Sequence, residues 1–206
     1  MSLRGAEHGR TFANLIFEIL LVAIGVFLAL WVNNWNEERR HRAQAQAALR
    51  NFLGEMETNR RATEGNRHYH DTLARELAGF LQRTKAPSEE RFQKEVHYEG
   101  ARPVIYEHTA WDLALATQAL SYLEPDLAFD ISKVYTLQNA VLTLENSFLA
   151  SAFTRPTLAS GDMKDLASAL AIYLGDINQQ EPIIVGQYDK VIPEIRRALS
   201  APAHAP

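Results

Sequence analysis

Seven histidines and 25 acidic side chains are the groups in this 206-residue chain that could do acid–base or metal chemistry. Their spacing argues against most of it. His68 and His70 are two apart, so on a helix they point in different directions and make a poor ligand pair. His97 and His108, with Glu99 and Glu107, lie in or beside a long connection and could assemble if it folds back; solvated or internally satisfied histidines are the alternative. No HExxH helix, phosphate-binding loop, dinucleotide fingerprint or G-x-S-x-G elbow occurs in the chain. There is no cysteine, which removes disulfides, thiol catalysis and thiolate metal sites. The expectation is a protein that is not an enzyme, with no metal and no cofactor. A hydrolase or metal enzyme built from separated His and acidic residues is the third-ranked reading. The formal net charge of −4 argues against nucleic acid as a partner.

A second set of residues suggests contact rather than catalysis. Asn14 and Glu18 are four apart and share a helix face, which Leu21, Gly25, Val32 and Asn36 approximately continue. Gly25 and Ala29 form a small-xxx-small pair that lets another helix approach closely. Carboxylates within a membrane rarely face lipid, so Glu18 is expected to face a protein partner or another copy. The competing readings place Glu18 near the headgroups with Gly25 incidental, or make it part of a proton path in an oligomer. Asn33, Asn34, Trp35, Asn36 and Glu37 cluster just beyond. Trp35 suits an interfacial anchor, and the amides suit headgroups, water or a neighbouring protein. Trp111, Tyr122, Tyr135 and Gln138 could line a pocket for a small hydrophobe or form the core and edge of a helix bundle.

The elements that position these groups follow from hydropathy. Residues 19–32 (ILLVAIGVFLALWV) are apolar without a break, and residues 11–32 add only Thr11, Asn14 and Glu18 as polar positions. At 1.5 Å per residue such a stretch reaches roughly 33 Å, enough for the hydrocarbon layer. Trp31 and Trp35 fall where an aromatic belt belongs. A cleaved signal peptide would need a small-x-small site after the apolar run; Trp31, Asn33, Asn34 and Trp35 stand there instead. Residues 1–10 therefore read as a flank, 11–35 as one transmembrane helix, 36–199 as a helical domain and 200–206 as a disordered tail. The partners implied are the lipid bilayer and another membrane protein or further copies. Counting Lys and Arg on the two flanks slightly favours a cytoplasmic domain.

Beyond the anchor, helix formers between 38 and 50 continue the helix outward. Ala45, Ala48, Leu49, Phe52, Leu53 and Met56 form its apolar stripe, with Gly65 a candidate bend or end. Leu73, Leu77, Phe80 and Leu81 resume the spacing. Residues 84–108 form a long connection, a functional loop or an ordered strap, with a short helix near 88–95. Thr109 suits an N-cap with Asp112 in the first turn. A further helix runs from Pro125 or Asp126 to Phe153, stopped by Arg155 and Pro156. A last apolar face spans 163–195, with Pro182 either kinking it or opening a new segment. No convincing strand pattern is present. The fold class is all-α: a transmembrane helix continuing into an antiparallel bundle of about four main helices.

Phe17 to Arg40 (FEILLVAIGVFLALWVNNWNEERR) resembles the N-terminal signature of a widespread group of uncharacterised bacterial single-pass membrane proteins, roughly G-E-I-x-L-V-x-x-G-I-x-x-A-L-x-x-N-N-W-N-E. Glu18, Leu21, Gly25, Ala29, Leu30, Asn33, Asn34, Trp35, Asn36 and Glu37 match; Phe17 stands where many members have Gly. Residues 106–138 also look like that group's helical domain. The resemblance covers about a third of the chain and carries no established activity. It implies an inner-membrane protein with its helical domain in the periplasm, against the charge count. The functional expectation is a membrane-anchored interaction or accessory subunit, self-association included. A sensory or ligand-binding bundle is the second reading.

Overall fold

The computed structural model describes residues 5–83, 88–154 and 163–201. Residues 1–4, 84–87, 155–162 and 202–206 lie outside this set, and with them the helix stop at Arg155 and Pro156, the approach through Gly161 and nearly all of the tail. All regular structure among the described residues is helical: α1 (Gly5–Arg83), α2 (Glu89–Glu95), α3 (Thr109–Ala116), a 3₁₀ turn (Ala119–Tyr122), α4 (Pro125–Thr154) and α5 (Met163–Ser200). The chain forms two compact units, Met1–Ala45 and Gln46–Pro206.

In the first unit α1 contains the one stretch long and apolar enough to cross a membrane among the described residues. Every side chain from 17 to 40 is exposed, so these apolar residues are not the core of this unit.

The second unit has a continuous core. On α1, Leu49, Phe52, Met56, Leu73, Leu77 and Phe80 are buried at helical spacing, as are Ile131, Val134 and Val141 on α4 and Leu170, Leu174, Ile177, Ile184, Val191 and Ile195 on α5. Three side-chain pairings fix the sense of α5 against α1: Glu57 with Arg196, Arg60 with Asp189 and His70 with Glu181. The numbering rises on one helix as it falls on the other, so the two are antiparallel. The pairings of Asp130 with Lys190, Gln138 with Tyr188 and Phe148 with Tyr173 set α4 antiparallel to α5 as well.

Three local expectations resolve differently. Gly65 neither ends nor interrupts α1, and α5 runs unbroken past Pro182 and Pro193. Both prolines are exposed, where water can serve the backbone groups left without a helical partner. The N-cap of α3 is His108, not Thr109, and it makes no side-chain cap bond. A residue from α1 supplies that bond instead, as described below. The short helix in the connection is capped by Ser88, whose hydroxyl accepts the Arg91 N–H at 3.3 Å.

Candidate functional site

The chemistry-bearing residues of the second unit gather beneath the connection. Glu55, Asn59, Thr63, Asn66 and His70 lie four, four, three and four residues apart on α1, so they form one polar row along a helix face. Glu55, Asn59, Thr63 and His70 are buried, and each finds a partner. Glu55 accepts the Ala110 N–H at 2.7 Å through one oxygen and the Tyr135 hydroxyl at 2.6 Å through the other. It thereby satisfies a first-turn donor of α3 that no local side chain reaches. Asn59 makes a two-way bond with the Glu107 backbone, donating to its carbonyl and accepting its N–H, both at 2.9 Å. Asn66 donates to the Arg102 carbonyl at 3.0 Å. Tyr69 donates to the Gly100 carbonyl at 2.6 Å and accepts the Glu99 N–H at 2.9 Å. Gly100 has φ +93°, which a residue with a side chain reaches only under strain. Residues 96–108 are thus a strap, with its backbone bonded to α1 side chains along its length.

At the far end of the row His70 bonds Glu181 on α5 at 2.7 Å through Nδ1 and the Ala101 carbonyl at 3.1 Å through Nε2. Burial pushes the imidazole pKa down, but the Glu181 hydrogen bond and charge, with the Ala101 and Arg102 carbonyls, outweigh it and leave it raised. Glu145 on α4 accepts the Val104 N–H at 3.0 Å. Burial drives its carboxyl up to about 7, against the Val104 bond and the His70 charge. Tyr106 accepts from the Thr63 hydroxyl at 3.4 Å, and burial first among its causes raises its phenol to about 12. Burial also raises Tyr173, whose buried hydroxyl has no hydrogen-bond partner among the described residues. Two carboxyls, an imidazole and two phenols therefore share one desolvated space.

The histidines and acids singled out from spacing do not converge. His68 is exposed while His70 is buried. His97 is exposed and bonds Glu76 at 3.0 Å. His108 packs its ring edge on Tyr135, 5.1 Å away. Glu99 pairs with Arg102. Among the described residues no group of three or more His, Asp or Glu is placed to hold a metal ion.

The Trp111, Tyr122, Tyr135 and Gln138 set is partly brought together. Trp111 and Tyr135 stack at 4.9 Å, and Tyr135 also meets Phe52 at 5.9 Å. Gln138 is fully buried and donates to the Tyr188 hydroxyl at 2.7 Å. Tyr122 lies half-buried in the 3₁₀ turn. The residues that row reasoning could have found are Glu55, Asn59, Thr63 and His70: polar positions on the same face as Phe52 and Met56. Glu145 and Glu181 carry no comparable signal, because their partners lie 41 and 111 residues away in sequence.

In the first unit Glu18, Gly25, Ala29, Asn33, Asn34, Trp35, Asn36 and Glu37 are all exposed; the Asn14 side chain lies outside the described residues. A Cβ built on Gly25 meets nothing within 4 Å. Asn33 donates to Glu37 at 3.3 Å, and the Arg39 guanidinium sits 5.1 Å from the Trp35 ring, a belt-type aromatic with a cation beside it.

No family model, curated protein or solved structure matches the chain.

Proposed function

We propose that this is a single-pass membrane protein whose anchor makes a specific helix–helix contact, holding a helical body as an accessory or self-associating subunit of a larger bacterial membrane complex. One observation carries the reading. The apolar segment of α1 is exposed from residue 17 to residue 35, and it bears Glu18, Gly25 and Ala29 along one approximate face. A lipid-facing anchor gains nothing from a carboxyl, whereas a contact gains from a carboxyl partner and from small residues that let backbones approach. The resemblance of the anchor to a bacterial inner-membrane signature favours that membrane and a periplasmic body. The body is read as an antiparallel bundle of about four main helices, a reading supported by the opposed runs of α5 against α1 and α4.

The test is co-purification from mild detergent. Wild-type protein is expected to retain a second protein or a second copy, and Gly25→Leu and Glu18→Leu to lose it. Leucine at position 25 has open space around it, so loss would report a broken contact and not a damaged chain. Unchanged assembly in both variants would remove the contact role.

A second reading, a sensory or ligand-binding bundle, is favoured by a hollow of about 450 Å³ whose lining includes Phe92, Val96, Tyr98, Met163 and Leu166 together with Glu89 and Glu99. That volume suits a small molecule.

A further inference from the structure

Almost every polar side chain bonded to the strap belongs to a helix, and two of those side chains, His70 and Glu145, titrate within a desolvated space. We propose that the buried cluster of His70, Glu145 and Glu181 is a pH-operated latch that holds residues 96–108 against the helices in acid and frees them as pH rises.

The geometry gives the latch its two halves. His70 holds the strap through the Ala101 carbonyl, and Glu145 holds it through the Val104 N–H. Both are buried, as is Glu181. The groups facing them come from every neighbouring element. From α1 the Tyr69 ring lies 5.8 Å from His70. The strap contributes Tyr106 and α5 contributes Tyr173, and both phenols feel the charges of Glu145 and Glu181. Among the described residues no lysine or arginine is one of the groups acting on the Glu145 carboxyl. Loss of a proton from Glu145 or from His70 makes this buried cluster one charge more negative, and water stabilises that charge once the strap lifts. Glu181 also lines a 250 Å³ surface hollow with Arg67, His68, Asp71 and Asn178.

The sign follows from linkage. A carboxyl held at about 7 when closed, against 4.5 when free, favours the open strap increasingly as pH climbs between those values. His70, raised above 6.5, acts in the same direction at higher pH. For Glu145 alone the open population grows about tenfold between pH 6 and pH 8.

The chain lacks cysteine, so a single thiol can report the strap. Val104 is 3% exposed and its neighbour Ile105 is 87% exposed. Full-length Val104→Cys and Ile105→Cys proteins in nanodiscs are labelled with a maleimide from pH 6 to pH 8, and the ratio of their rates cancels the intrinsic ionisation of the thiol. The expected ratio of Val104→Cys to Ile105→Cys rises about tenfold, and rises less in a Glu145→Gln background, where the amide oxygen can keep the Val104 bond. A ratio flat with pH, or an equally steep rise in the Glu145→Gln background, overturns the latch. Infrared titration of the unsubstituted chain checks the assignment without altering Glu145: a buried carboxyl ionising near 7 supports it, and none ionising there refutes it.

Discussion

Replacing Glu55 should be among the costliest single changes in the helical body. Its two oxygens serve two buried donors from different elements, the Ala110 N–H at the start of α3 and the Tyr135 hydroxyl on α4. Glu55 is 7% exposed and Tyr135 1%, so neither donor finds bulk water when the carboxyl is removed. Each orphaned buried donor costs about 1–3 kcal/mol, which puts Glu55→Ala at about 2–6 kcal/mol before any cavity term. Adding Tyr135→Phe removes one orphan and should return about 1–3 kcal/mol. The double variant is then more stable than the sum of the single losses. The assay is urea unfolding of full-length protein in mild detergent. Trp111 stacks on Tyr135, so its fluorescence reports the site once Trp31 and Trp35 are changed to Phe. A Glu55→Ala loss below about 1 kcal/mol, or strictly additive losses, would refute the claim that this carboxyl joins α1, α3 and α4.

Three other outcomes follow from the same bonds. Asn59→Ala should cost only about 1–2 kcal/mol in the same unfolding assay, because its partner residue Glu107 is exposed and water can replace the lost bonds; a loss as large as that of Glu55→Ala would contradict this. Gly100→Ala has open space for its methyl group but keeps φ +93°, so it should lose about 1–2 kcal/mol through backbone strain alone; a neutral or stabilising result would show that the strap relaxes freely. Global stability should fall as pH rises from 4.5 to about 7, since the unfolded Glu145 ionises first. The loss is about 3 kcal/mol, His70 adds to it above pH 6.5, and urea midpoints at pH 5 and pH 8 measure it.

The helices were legible because their causes are local. The unbroken apolar run 19–32, the Pro125 start and the 3.6-residue stripes on α4 and α5 each depend on neighbours within a few turns. The strap was not legible in the same way. Its residues show mixed charge and no period, and their conformation is set by side chains of α1 and α4 that lie 21 to 48 residues away. Thr109 illustrates the limit. Its type and position suit a cap, yet the first-turn donor of α3 is met by Glu55 from another helix. His70 is similar: its spacing from His68 argued against a metal pair but named no partner, and only the fold places Glu181 against it. That Glu18, Gly25 and Ala29 fall on one side of the anchor helix was legible too, since it needs only helical spacing.

A membrane anchor with one protein-facing side is the central claim, and face-specific photocrosslinking in native membranes tests it most directly. Single cysteines at Gly25, Ala29 and Phe27 are labelled with a benzophenone maleimide and irradiated. Positions 25 and 29 lie on the proposed face, and Phe27 points away from it at 100° per residue. A protein adduct is expected from Gly25→Cys and Ala29→Cys and none from Phe27→Cys. Equal adducts from all three positions, or no protein adduct from positions 25 and 29, would contradict the claim.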